Sequence, residues 1–358
     1  MPWFPEFYSA VELARRQTRT VGLTDPVGQY INALNNGDTH VLENTWPGAV
    51  TVYDPRAGEI RGHRKLRRFV LQNQTFLAER QARTETVATT HIPGRAVVEL
   101  LVHLDADDQE YTWPVAVVAD SPDDLSVVFR TYCSRWPVDG RRFVRRPILG
   151  PGYFKPGDVV GRYLTAVEAG DTEAAVNSFA PDGYFREPVG SHPTHSGTTE
   201  LRSFFAWQFS AGGGIGLENC VMTDDGSRCA LEYNCSQWGT HGLTPQAGLG
   251  VYERGADGLL AAVRIYDDVE PPFRRPYDDP KLRSNRVKHE EQAQEDPAER
   301  ELFETIRTTY ALALEPEQHA MVNELRDDLR TIRWEERSEL INDIQNAIGQ
   351  NLEEEFEL

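Results

Sequence analysis

The 358-residue sequence predicts an α+β fold built twice in tandem, with a separate helical extension behind it. Each copy is expected to be a cone-shaped domain, a curved antiparallel sheet wrapped round helices. Three observations predict this. Residues 28–39, GQYINALNNGDT, and residues 161–172, GRYLTAVEAGDT, share six of twelve positions at an offset of 133. The same offset carries Trp46 onto Phe179, Asp54 onto Glu187 and Pro55 onto Pro188, the signature of a repeated unit. Within each copy, helical spacing comes first and apolar or alternating runs follow.

Each element has its own signal. Val27, Tyr30, Ile31 and Leu34 make an amphipathic helix, and Val160, Tyr163, Leu164 and Val167 are their counterparts. Gly37 and Gly170 stand where a helix should stop, and Asp38 and Asp171 read as N-caps of a short second helix. The runs VTVYDP and GYFREP read as strands. After a two-residue insertion Gly62, Leu66 and Phe69 fall on Gly197, Leu201 and Phe204, predicting a third helix near 63–79 and 198–209. AVVELLVHL, YTWPVAVVAD and LSVVFRTYC then supply strands in the first copy, as do RCALEYNCSQW, QAGLGVYER and LLAAVRIYDD in the second. LGPGYFKPG marks the linker between copies. The expected organisation is a helical lead-in at 1–23, domains at 24–150 and 151–276, and an acidic linker and helical tail at 277–358. In the tail, Leu302, Ile306 and Tyr310, then Leu325, Leu329 and Ile332, then Leu340, Ile341, Ile344 and Ile348 keep helical spacing. The two copies are expected to dock on each other as an internal pseudo-dimer.

The net charge of −19 is uneven: residues 278–358 hold 22 acids against 10 bases and so supply −12. An acidic surface repels phosphate backbones, and with no basic stripe in view nucleic acid is not an expected partner. The opening MPWFPEFY lacks the pattern of a signal peptide, and no apolar run reaches the roughly 18–20 residues that span a bilayer. Cys133, Cys220, Cys229 and Cys235 form no CxxC pair, so reduced thiols in a cytoplasmic chain are the expectation. No GxGxxG follows a strand, and GGGIG at 212–216 leads into a strand rather than a helix, so it cradles no phosphate.

The order GRYLTAVEAGDT, FREPVGS, SHPTHSG and LRSFF resembles the steroid Δ-isomerase (ketosteroid isomerase) branch of the nuclear-transport-factor-2-like (NTF2-like) fold, whose superfamily also holds the SnoaL-like polyketide cyclases. It covers nearly all of 157–270 and, more loosely, 24–135. The paired layout also resembles an actinobacterial, mycobacterial-type two-domain group. The resemblance implies a cofactor-free enzyme, an isomerase or another lyase or hydrolase of the fold, moving protons on a hydrophobic steroid- or polyketide-like carbonyl compound. It places a helix tyrosine opposite a strand-end carboxylate across an apolar pocket: Tyr163 with Glu187, and Tyr30 with Asp54, each pair 24 residues apart. The carboxylate would shuttle the proton and the phenol would donate to the enolate oxygen. A carboxylate facing an apolar cavity is desolvated and becomes a better base, which supports the pairing independently. The family's second, protonated acid is missing. Its positions fall on Ala116 and Gly250.

Trp113, Trp238 and Tyr252 are candidate pocket walls, with aromatic core as the alternative, and His195 a candidate at the pocket mouth that assists proton transfer. His192 with His195 lacks a third ligand at metal-binding spacing, so no metal or cofactor is expected. Asp54 and Glu187 could instead be strand-end caps or ion-pair partners of Arg56 and Arg186. Arg130 and Arg264, at matching strand positions, read as structural ion-pair partners. From a different class, the alternative is a non-catalytic hydrophobic ligand binder or scaffold, with self-association or protein contacts through the tail helices.

Overall fold

The computed structural model describes residues 23–272, apart from 107–108, 140–141 and 190–193. The expected lead-in as far as residue 22, His192, and the tail from residue 273 lie outside the described residues. Both repeats belong to one compact unit, Met1–His289; the other, Glu290–Leu358, is wholly outside them.

The first repeat runs α1 (Pro26–Asn36), α2 (His40–Thr45), β1 (Ala49–Asp54), β2 (Gly58–Arg61), α3 (His63–Glu79), β3 (Arg83–Ile92), β4 (Arg95–Ala106), β5 (Gln109–Asp123), β6 (Ser126–Cys133) and α4 (Trp136–Asp139). The second runs α5 (Val159–Ala169), α6 (Thr172–Val176), β7 (Phe179–Arg186), β8 (Thr194–Ser196), α7 (Gly197–Gln208), β9 (Ile215–Asp224), β10 (Arg228–Trp238), β11 (His241–Arg254) and β12 (Leu260–Tyr266). The six-stranded sheets have the same order, β2-β1-β6-β5-β4-β3 and β8-β7-β12-β11-β10-β9. In each, one parallel pair, β1 with β6 or β7 with β12, interrupts an antiparallel ladder. Even the irregularities repeat. A bulge skips Val87 in β3 and Cys220 in β9, which are 133 residues apart.

Local chemistry explains the helix ends. Asp25 accepts from the Gly28 amide and Asp158 from that of Val160, capping α1 and α5. Gly37 and Gly170 both close their helices at φ 70°, where any Cβ would be strained. Asp171 caps α6 as expected, whereas the N-cap of α2 is Thr39, with Asp38 bonding the His40 amide instead. β3 gives little sequence signal: RTETVATTHI is an edge strand, largely exposed, so no apolar alternation marks it. The end of β2 and the opening of α3 carry an exposed basic run, Arg61, Arg64, Lys65, Arg67 and Arg68. Arg67 answers Glu43 and Arg61 answers Glu59, while Leu66 alone among them turns inward.

Each sheet has two apolar faces. The inner one packs on the helices through Tyr30, Trp46, Leu66, Phe69, Val117 and Phe129 in the first repeat, and through Tyr163, Leu201, Phe204, Phe205, Leu231 and Tyr252 in the second. The outer faces pack on each other: Val97, Ala116, Val118 and Tyr132 meet Ala230, Leu249, Val251 and Tyr266. Period-two alternation makes this possible, since odd positions of β4 face the partner repeat and even ones the helices.

A pair of buried charge clusters crosses that interface. Arg264 grips Glu99 bidentately at 2.6 and 2.8 Å, and the Tyr266 hydroxyl donates to the same carboxylate at 2.8 Å. In mirror fashion Arg130 grips Glu232 at 2.6 and 3.0 Å, Tyr132 donates to it at 2.7 Å, and Arg95 adds a third partner. Glu99 and Glu232 are 133 apart, and Arg130 and Arg264 are 134 apart, so this is the reciprocal pattern of a two-fold interface within one chain. Ser134 and Asp268, another matched pair, bond directly to each other at 2.7 Å.

Asp268 also accepts from the Phe143 amide at 2.8 Å, yet burial pushes its carboxyl up to about 6, against the pull of Arg142 and of these hydrogen bonds. A carboxyl raised on folding holds its proton more tightly in the native state. Its contribution to stability therefore falls as pH climbs from about 4 to 6 and is constant above. Relative to wild type, Asp268→Asn is expected to gain on the order of 2–3 kcal/mol between pH 4 and pH 7, read from urea unfolding at each pH. A difference independent of pH would refute it.

Candidate functional site

In the second repeat β7 ends on Arg186, and Glu187 follows with 6% of its surface exposed. β8 pairs antiparallel with β7 and sets His195 opposite Phe185. The His195 Nε2 lies 3.0 Å from Glu187 Oε1. The imidazole stacks on Phe204 of α7 at 4.1 Å and 20°, and Phe204 leans on Phe185 at 4.6 Å. A buried carboxylate thus meets an imidazole backed by aromatic rings, an arrangement able to hold or pass one proton. The expected partner Arg186 turns away and donates to the Tyr266 hydroxyl.

Tyr163 stands within the aromatic cluster, its ring 5.6 Å from Phe179, 6.1 Å from Phe205 and 5.7 Å from Tyr252. Burial, then the neighbouring Tyr252, holds its phenol well above the usual range, so it is neutral and keeps a proton to donate. The first repeat is arranged differently. Asp54 Oδ1 accepts from the amides of Arg56 and Ala57, both at 2.8 Å, and so caps the β1–β2 turn. Arg56 lies over the Phe76 ring rather than on Asp54. Tyr30 stacks on Phe129 at 4.5 Å, and burial, then the Asp54 charge, raises its phenol. Its hydroxyl is buried beside that of Thr131.

The aromatic candidates sit in core positions. Trp113 Nε1 donates to the Ser134 carbonyl and Trp238 Nε1 to that of Gln208, at 2.8 and 2.9 Å. Tyr252 folds over Gly250, where a Cβ would come within 2.6 Å of its hydroxyl. Ala116 belongs to the interface between repeats and faces no pocket. Burial raises the thiols of Cys220 to about 11 and of Cys229 and Cys235 to about 12, which leaves them protonated at neutral pH. Among the described residues no cluster of three or more His, Cys, Asp or Glu could hold a metal, and no helix is long and apolar enough to cross a membrane.

Sequence reasoning did not single out Glu99 and Glu232. Their signal was available: a glutamate at the same offset inside two otherwise apolar runs, VVELL and ALEYN.

With this topology in place, residues 160–263 match the family of the SnoaL-like domain. The matched stretch runs from α5 into β12 and makes up most of the second repeat. The first repeat shares the strand order of the second. Solved structures similar to part of this chain include a candidate polyketide cyclase from Sinorhizobium meliloti, at 22% identity over 30% of this chain and 92% of that one, TM-score 0.26. Another is a cystatin-fold protein from Novosphingobium aromaticivorans, at 15% identity over 30% and 93%, TM-score 0.27. A protein from Catenulispora acidiphila with a ketosteroid isomerase-like fold, solved with trimethylamine, matches at 15% identity over 33% and 90%, TM-score 0.28.

Proposed function

We propose that the SnoaL-like domain is a cofactor-free acid–base catalyst acting on a hydrophobic carbonyl compound of steroid or polyketide type. The carrying observation is the Glu187–His195 contact, 3.0 Å long, with side chains 7% and 19% exposed and the imidazole stacked on Phe204. Glu187 is the base, His195 the group through which its proton passes, and the neutral Tyr163 phenol the donor to a developing enolate oxygen. The first repeat, with Asp54 engaged in a turn, has a supporting part.

Non-catalytic binding of a hydrophobic ligand is the second reading. It is favoured by Tyr163, whose packed neighbours are Phe179, Phe205 and Tyr252. Turnover of a β,γ-unsaturated 3-ketosteroid by the full chain separates the two. Proton transfer that disappears in Glu187→Gln and persists in Asp54→Asn supports catalysis in the second repeat. Saturable steroid binding without turnover supports the ligand binder.

A further inference from the structure

The two repeats part company at one end of their sheets. β7 and β12 are parallel neighbours, and Arg186 beside Arg264 is their last paired rung. Glu187 lies one residue beyond it and Asp267 three, so strand alternation puts both carboxylates on the helix-facing side at the same end. β10 runs in the same direction as β12, on the far side of β11, and brings Tyr233 toward that end. The Tyr233 hydroxyl donates to Asp267 Oδ2 at 2.6 Å, and the Val269 amide donates to Oδ1 at 3.2 Å. Tyr233 is buried, whereas Asp267 is only half-buried.

The backbone makes room for this pair. Gly248 stands opposite Tyr233 on β11, and a Cβ there would come within 2.5 Å of the Tyr233 ring and 2.9 Å of the Asp267 Cβ. Burial, then the Asp267 charge, then Tyr252 raise the Tyr233 phenol, so it keeps its proton and stays a donor to the carboxylate. The first repeat has none of this. Where the second has His195, Tyr233, Gly248 and Asp267, the first has Ile60, Leu100, Val115 and Cys133, all in its apolar core. Replacing both partners of a buried hydrogen bond by apolar groups is nearly neutral, so the fold does not need the pair. A carboxylate offers about four acceptor directions, and a phenol and an amide do not exhaust them.

We propose that Asp267 is a ligand-binding residue of the second repeat, accepting a hydrogen bond from a hydroxyl group of the ligand, with Tyr233 as the residue that positions it. The ligand class narrows to a hydrophobic carbonyl compound with a hydroxyl at the end away from the reacting carbonyl, Glu187 serving one polar end and Asp267 the other. The choice of carbonyl compound rests on the acid–base reading above, but the hydroxyl contact does not require turnover.

The probes are two β,γ-unsaturated 3-ketosteroids that differ only in a hydroxyl or a ketone on ring D, titrated into the full chain by calorimetry. A ketone has no proton to offer the carboxylate and meets it lone pair to lone pair. The wild type is expected to bind the hydroxylated steroid about 10-fold more tightly or better, the worth of one hydrogen bond to a charged group. Asp267→Ala should bind the two alike. Tyr233→Phe should weaken the hydroxylated steroid several-fold and leave the ketone unchanged, which loss of packing alone would not do. Glu187→Gln should keep the preference. Equal binding by the wild type, no saturable binding of either steroid, or a preference untouched by Asp267→Ala or by Tyr233→Phe overturns the inference. Turnover separates it from the catalytic reading. A preference without turnover removes catalysis and leaves Asp267 in place, and turnover that depends on Glu187 without a preference does the reverse.

Discussion

Replacing Glu232 with alanine is expected to lower the free energy of unfolding by about 3–5 kcal/mol, read as a fall in the urea midpoint. The carboxylate is almost fully buried and answers Arg130, Arg95 and Tyr132 at once. Removing it leaves two guanidinium groups at an apolar interface with only the partly exposed Asp120, 3.2 Å from each, as counter-charge, and that desolvation cost outweighs the loss of any single hydrogen bond. The mirror change Glu99→Ala leaves Arg264, itself 1% exposed, with Glu253 at 2.9 Å as its remaining carboxylate, and should cost a similar amount. Glu173→Gln removes an equally well-formed bidentate pair with Arg202 on the surface and should leave the midpoint where it was. Should Glu232→Ala behave like Glu173→Gln, the clusters do not hold the repeats together.

The pH dependence of this contribution has a definite sign. Burial disfavours the ionised Glu232, but the Arg130 and Arg95 charges and the Arg130 and Tyr132 hydrogen bonds outweigh it and hold the carboxyl below the usual range. A depressed native value means that the stabilisation is complete above the unfolded value of about 4.3 and is lost as pH falls through the native one. Acid should therefore loosen the interface here, opposite to the direction set by Asp268.

Glu187→Gln is expected to reduce kcat on a β,γ-unsaturated ketosteroid by about 10²–10⁴-fold with little change in KM, if the proposed proton transfer operates. The amide keeps the shape and can still meet His195, but it cannot accept a proton from carbon. His195→Gln separates two roles. If the imidazole relays the proton, the single variants and the double variant should all fall to about the same rate, because the two groups act as one unit. If Glu187 works alone, the histidine change should cost much less and mainly loosen the stack on Phe204. Unchanged kcat in Glu187→Gln would remove the carboxylate from the mechanism.

Much of this architecture was legible before folding. The 133-residue offset, the glycines that end α1 and α5, and the alternating runs of β4–β6 and β10–β12 all report local requirements: backbone angles at a helix end, or one buried face along a strand. The candidate pairs Tyr30 with Asp54 and Tyr163 with Glu187 came instead from the resemblance to the isomerase branch, carried over by position. β3 escaped, because an exposed edge strand needs no apolar face.

Tertiary structure alone decided three things. It gave the sheets a second buried side, so that Ala116 faces the other repeat and Glu99 and Glu232 become interdomain anchors. It joined Glu187 to His195 across a strand pair, while Asp54, at the same repeat position, was taken up by turn amides. It laid the linker along β9, in the groove beside α5. Sequence periodicity says which residues share a face, but the packing of one copy against the other and the path of the linker determine what each face meets.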